Sequence, residues 1–115
     1  MAPERFSAAS RALVVAPETD LFLSAASAWE ISIKFALGKL DLPAAPSRFI
    51  PSLMAQTGVT PLPILHSHAL HVAELPPHHR DPFDRMLIAQ AQLERLPILT
   101  ADPRFGAYEV EVLRA

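Results

Sequence analysis

The 115-residue chain has no cysteine, so it can hold neither a disulfide nor a thiolate metal site, and it fits a reducing compartment. Its net charge is only −2 and its pI is near 6.2, so no global basic field draws it to a polyanion. A nucleic-acid partner would have to be held by local charges or by metal ions. No uncharged apolar run approaches the length of a membrane span. Met1 to Val15 carries Glu4, Arg5 and Arg11 and no compact apolar block, so it does not read as a secretory signal. Glycine is scarce, at 3 residues, whereas proline is frequent, at 12; the prolines punctuate the chain and bound its elements. Half the residues are hydrophobic, which predicts a globular chain, and the length suits a single domain over residues 1–115 with one core.

The most informative stretch is His79-Arg80-Asp81-Pro82-Phe83-Asp84-Arg85-Met86-Leu87-Ile88-Ala89-Gln90-Ala91. Asp81 reads as a helix N-cap and Pro82 as the first helical residue, where a missing N–H costs nothing. Phe83, Leu87 and Ala91 then recur at helical spacing, on a helix running to about Leu96. Asp84 lies in its first turn, either as part of the cap or as a ligand for something positive.

Upstream, Ser7 to Val15 reads as the end of a helix and Ala16 to Asp20 as a polar turn. Leu21 to Ser24 is an apolar run suited to a strand buried on both faces. Ser27-Ala28-Trp29-Glu30 fits a capping box, and Trp29, Ile33, Leu37 and Leu40 continue it as a helical stripe, which predicts that Trp29 anchors the core. Ser47 to Gln56 is a further helix with Phe49 and Leu53 inward, stopped by Gly58. Val59 to Leu65 holds two prolines, so a strand there is short and lies at a sheet edge. Ser67 to Leu75 is a short helix, Pro97 to Thr100 a second buried strand, and Tyr108 to Leu113 a half-exposed strand.

Strands alternating with helices predict an α/β fold, a parallel sheet with helices on both faces and a ligand site off the strands' carboxyl ends. Glu30 follows the first buried strand, Asp102 follows the second, and Asp84 opens the helix feeding it, so all three acids can face one edge. Clustered carboxylates raise one another's pKa unless a cation neutralises them. Oxygen ligands favour a hard ion, Mg²⁺ or Mn²⁺, which suits phosphoryl chemistry. Each acid also has a capping explanation: Glu30 as partner of Ser27, Asp102 as N-cap before Pro103. His66, His68 and His71 offer a rival zinc site.

Taken together, Leu23 to Lys34, Leu37-Gly38-Lys39-Leu40, His79 to Ala91 and Leu99-Thr100-Ala101-Asp102 resemble the PIN-domain toxins of VapC type, in order and over nearly the whole chain. The resemblance implies a PIN-like sheet and a Mg²⁺-dependent endoribonuclease, a cytoplasmic toxin of a bacterial type II toxin–antitoxin pair. It implies an RNA substrate, a VapB-type antitoxin and a homodimer, and no membrane. Glu30, Asp84 and Asp102 match the family's metal-binding, catalytic acids, and Asp81 takes a supporting role. Lys34, Lys39, Arg80 and Arg85 are positioned to steer the RNA backbone, and His79 and Arg80 to touch a phosphate or the antitoxin.

One departure stands out. Family members begin with a short apolar strand ending in an Asp that binds the metal, and nothing here matches it. That strand is central in the family sheet, so the chain reads as N-terminally truncated, with unpaired edges facing a gap. The expectation is an oligomeric or poorly soluble chain with little Mg²⁺-dependent cleavage. The alternative is a catalytically incomplete remnant that binds antitoxin or a second copy of itself through the Phe49–Met54 helix.

Overall fold

A computed structural model describes residues 12–15, 21–100 and 102–114, of which 12–15 and 114 are described as backbone. Its elements run β1 (Ala12–Val15), β2 (Leu21–Ser24), α1 (Ala25–Ala36), α2 (Pro46–Thr57), β3 (Val59–Leu62), α3 (His66–His71), α4 (Pro82–Glu94), β4 (Ile98–Thr100) and β5 (Val112–Arg114). Single 3₁₀ turns lie at Val72–Glu74 and Pro103–Ala107. The sheet order is β3-β2-β1-β4-β5. β2 pairs with β3 and β4 with β5 in parallel, as expected of an α/β fold.

Ala12–Val15 corrects two expectations at once. It is a strand where helical spacing was read, and it occupies the central slot between β2 and β4. It runs antiparallel to both neighbours, with Val14 opposite Phe22 on one side and Ile98 on the other. The sheet is therefore mixed, and no gap remains at its centre. Unpaired buried backbone groups cost about 1–3 kcal/mol each, so two facing open edges give a strong drive to recruit any apolar segment within reach. Ala-Leu-Val-Val is such a segment, and its β-branched residues suit a strand. Oligomerisation through open central edges is thus not required. The rest of the expected Ser7–Val15 helix and the Ala16–Asp20 turn lie outside the described residues.

Because β2 and β4 both run opposite to β1, their carboxyl ends lie at the same edge of the sheet. Adjacent strand residues point to opposite faces. Phe22 packs on the cluster of Leu87, Ile88, Ile98 and Phe105, whereas Leu23 packs with Ile31, Leu40 and Ile50. Helices thus cover both faces, α4 on one and α1 with α2 on the other. The apolar side of α2 is used internally: Phe49 and Met54 pack on that second cluster, so they do not form the free self-association face considered above.

α1 starts earlier than the capping-box reading. Ser24 is its N-cap and accepts from the Ala26 N–H at 3.0 Å, while its hydroxyl donates to Gln90 Oε1 at 2.6 Å. Gln90 also donates to the Pro63 carbonyl, so one buried amide ties the start of α1 to α4 and to the loop after β3. Starting at Ala25 sets the helix phase. Ala26, Ser27, Glu30 and Ile31 turn inward, and Trp29 turns out, 62% exposed, with Leu37 exposed beyond it. Trp29 is not the core anchor that its spacing predicted. Among the described residues its ring contact is edge-on with Phe83, so Trp29→Ala should lower stability by only about 1 kcal/mol. Emission from this sole tryptophan should be readily quenched by iodide; a blue-shifted, protected emission would contradict the exposure.

Candidate metal centre

Asp81 caps α4 as its spacing predicted. Its Oδ1 accepts from the N–H groups of Phe83 at 2.8 Å and Asp84 at 3.1 Å. Capping is therefore the work of Asp81, which leaves the buried carboxylate of Asp84 for another role. That carboxylate meets His79: Nε2 lies 2.8 Å from Asp84 Oδ2 and 3.9 Å from Asp102 Oδ2. Asp102 arrives from the end of β4, where it caps the following 3₁₀ turn. His79, Asp84 and Asp102 each offer a ligand atom, all within 4.8 Å of one another.

His79 is fixed from several sides. Its N–H donates to the Tyr108 hydroxyl at 2.8 Å, and that hydroxyl donates on to the Pro76 carbonyl. Its ring stands edge-on to Phe105, and its carbonyl accepts from Arg85 at 3.2 Å. The Asp81 N–H reaches Nδ1 at a long 3.3 Å, which puts the proton of the neutral ring on Nε2. Nε2 is fully buried, and among the described residues no acceptor lies in line with it: the Asp84 oxygen, 2.8 Å away, is close but off the N–H direction. A buried nitrogen beside two carboxylates and poorly aligned with either is a candidate ligand atom.

This donor set fits a divalent cation. Two carboxylates and one imidazole suit Mn²⁺ at least as well as Mg²⁺, since nitrogen ligands are less favoured by the harder ion. The two carboxylates would hold a cation, and Nε2 would be a third donor in the tautomer that carries its proton on Nδ1.

Arg104 occupies the other side of Asp102. It donates from Nε to both carboxylate oxygens and from Nη2 to Oδ2 at 2.8 Å. That guanidinium holds the Asp102 carboxyl down at about 2, against its ordinary 3.8. A group lowered in this way adds stability above pH 3.8, and the contribution fades as pH falls from there toward 2. Arg104→Ala should move the Asp102 pKa up toward 3.8, read from its carboxyl ¹³C shift; a value still near 2 would mean that Arg104 is not the cause. The Arg104 side chain is more than half exposed, so it would be free to leave Asp102 were a cation bound there.

The other predicted site residues are placed differently. Glu30 is buried at the same end but outside the three-residue cluster, and its carboxylate lies 2.8 Å from Lys34 Nζ, one helical turn on. Lys39 and Arg80 are exposed. Arg85, expected to steer RNA, is turned into the protein. It donates to the carbonyls of Val72, Leu75, Pro76 and His79 at 2.9–3.3 Å. The three histidines of the zinc alternative do not converge: His68 bonds Glu94, His71 bonds Gln92, and His66 is exposed. Sequence reasoning missed His79 as a member of the cluster, Tyr108 as its support and Arg104 as the Asp102 partner. Only Arg104 carried a local signal, two residues from Asp102 on a capped turn.

The sequence pattern of the PIN domain matches residues 1–111. The chain belongs to the PIN-domain family. Among curated proteins, this PIN chain is similar to Ribonuclease VapC16 of Mycobacterium tuberculosis (strain ATCC 25618 / H37Rv), 42% identical over 62 residues. That match covers 54% of this chain and 44% of the relative, so the chain spans less than half of the protein it matches. No solved structure gives a significant match. The resemblance drawn from the motifs thus stands at the level of the family.

Proposed function

We infer that this PIN chain is a divalent-cation-dependent endoribonuclease of VapC type, the toxin of a type II toxin–antitoxin pair acting in the cytoplasm. The observation that carries the reading is the convergence of Asp84 and Asp102 on the buried Nε2 of His79, in a chain of the PIN family. Asp84 and Asp102 would hold the ion, Mg²⁺ or Mn²⁺, with His79 as a third donor. When bound, such an ion neutralises a phosphate and acidifies a water for attack on the phosphodiester. The protein's own part is to fix the two carboxylates: Asp84 through the Asp81-capped turn, Asp102 through its own 3₁₀ cap. Glu30 contributes a further carboxylate from the α1 wall, with Lys34 balancing its charge. Lys39 and Arg80 offer exposed charge for the RNA backbone, and a VapB-type antitoxin and a second copy of the chain are the expected partners. Among the described residues no helix is long and apolar enough to cross a membrane.

The test is cleavage of an end-labelled RNA with Mn²⁺ or Mg²⁺. Cutting that disappears in EDTA and in Asp102→Ala is the expected result. Cutting that survives either would remove the cluster from the chemistry.

A further inference from the structure

Trp29 is the one tryptophan of the chain, and it is mostly exposed. Its ring stands at 80° to that of Phe83, with centroids 5.2 Å apart. In an edge-on pair one ring's edge meets the other's face, so whichever ring supplies the edge, at least one indole face is left uncovered by the partner. Phe83 is half-buried and fixes the indole from the side.

The position of the pair is as informative as its exposure. Trp29 immediately precedes Glu30 on α1, and Phe83 immediately precedes Asp84 on α4. The ring contact joins α1 to the first turn of α4, the turn that also carries Asp84. We propose that the Trp29–Phe83 pair is a stacking platform for one nucleobase of a single-stranded RNA whose phosphate is presented to Asp84 and Asp102. The proposal rests on the ribonuclease reading above and names the substrate class at that site.

Three considerations favour a base as the occupant. The carboxylates repel phosphates, so affinity for RNA must come from cations or from the bases, and base–aromatic stacking is indifferent to charge and sequence. Single-stranded RNA is the form whose bases are free to splay onto aromatic side chains. Two rings match one base in size, whereas a stable protein interface needs roughly 800 Å² from each partner.

The test uses the full chain, an RNA octamer and an octamer of the same ribose-phosphate backbone without bases, with binding read in EDTA by the anisotropy of a label on the oligomer. The RNA octamer should quench Trp29 emission in the wild type. Trp29→Leu should weaken its binding by at least about fivefold, the low end of what one stacked base contributes, and Trp29→Phe should retain most of it. The base-free octamer should bind all three proteins alike, which also shows that Trp29→Leu is folded. Equal RNA affinity in wild type and Trp29→Leu would overturn the proposal, as would an equal loss for the base-free oligomer. So would a change in sedimentation at unchanged RNA affinity, which would give the surface to a second copy of the chain. Cleavage with Mn²⁺ separates the two readings. RNA cut equally by wild type and Trp29→Leu removes the platform and leaves the nuclease. Quenching and base-dependent binding with no cutting in any metal removes the nuclease and leaves the platform.

Discussion

Arg85→Ala is expected to lower the stability of the domain by about 3 kcal/mol, a large share of the total for a chain of this size. The guanidinium donates to four backbone carbonyls, those of Val72, Leu75, Pro76 and His79, and its Nη1 also lies 3.5 Å from the Tyr108 hydroxyl. These carbonyls belong to the connection between α3 and α4, where that of Val72 also accepts from the Leu75 N–H and that of Pro76 from the Tyr108 hydroxyl. One planar fork reaches all four; an ammonium cannot, so Arg85→Lys should recover little of the loss. The measurement is the urea midpoint at unchanged slope. A loss below about 1 kcal/mol would mean that water serves those carbonyls as well as Arg85 does. Because His79 is one of the residues held, a destabilised variant should also bind a divalent ion more weakly than its remaining folded fraction accounts for.

Asp84→Asn is expected to remove almost all RNA cleavage while leaving the fold in place. The substitution keeps the shape of the side chain and removes the charge that faces His79 Nε2. Helix α4 keeps its start, because both capping hydrogen bonds end on Asp81. Losing an outer-shell partner of a metal typically costs 10–100-fold in affinity or rate, so loss of a direct ligand should exceed about 100-fold. Far-ultraviolet circular dichroism should be nearly unchanged. A variant that cuts within tenfold of the wild type would show that Asp84 is a structural acid.

Much of this arrangement was readable from local chemistry. Asp81-Pro82 declared the start of α4, Gly58 the end of α2, and the prolines after Val59 an edge strand. Strand–helix alternation alone places Asp84 and Asp102 at one edge of the sheet, where they meet His79. What could not be read depends on partners far along the chain. Ala12–Val15 is short enough to satisfy either period, and only the vacancy between β2 and β4 makes it a strand. Trp29 was misplaced because the phase of α1 is set by Ser24, three residues before the serine that looked like the cap. Arg85 sits on a charged helix turn like any solvated residue; its carbonyl partners are 6 to 13 positions upstream. His79 lies in a histidine pair whose members differ only in what surrounds them, Tyr108 and Phe105 from the far end of the chain. Glu30, which the motif resemblance assigns to the metal, lies outside the three-residue cluster and is paired with Lys34, one turn later on its own helix.

Calorimetric titration of Mn²⁺ into the intact chain, beside Asp84→Asn, tests most directly whether His79, Asp84 and Asp102 form a cation site. The account predicts one ion per chain in the wild type and no measurable binding to Asp84→Asn. Identical isotherms for the two proteins, or no heat of binding in the wild type, would contradict it.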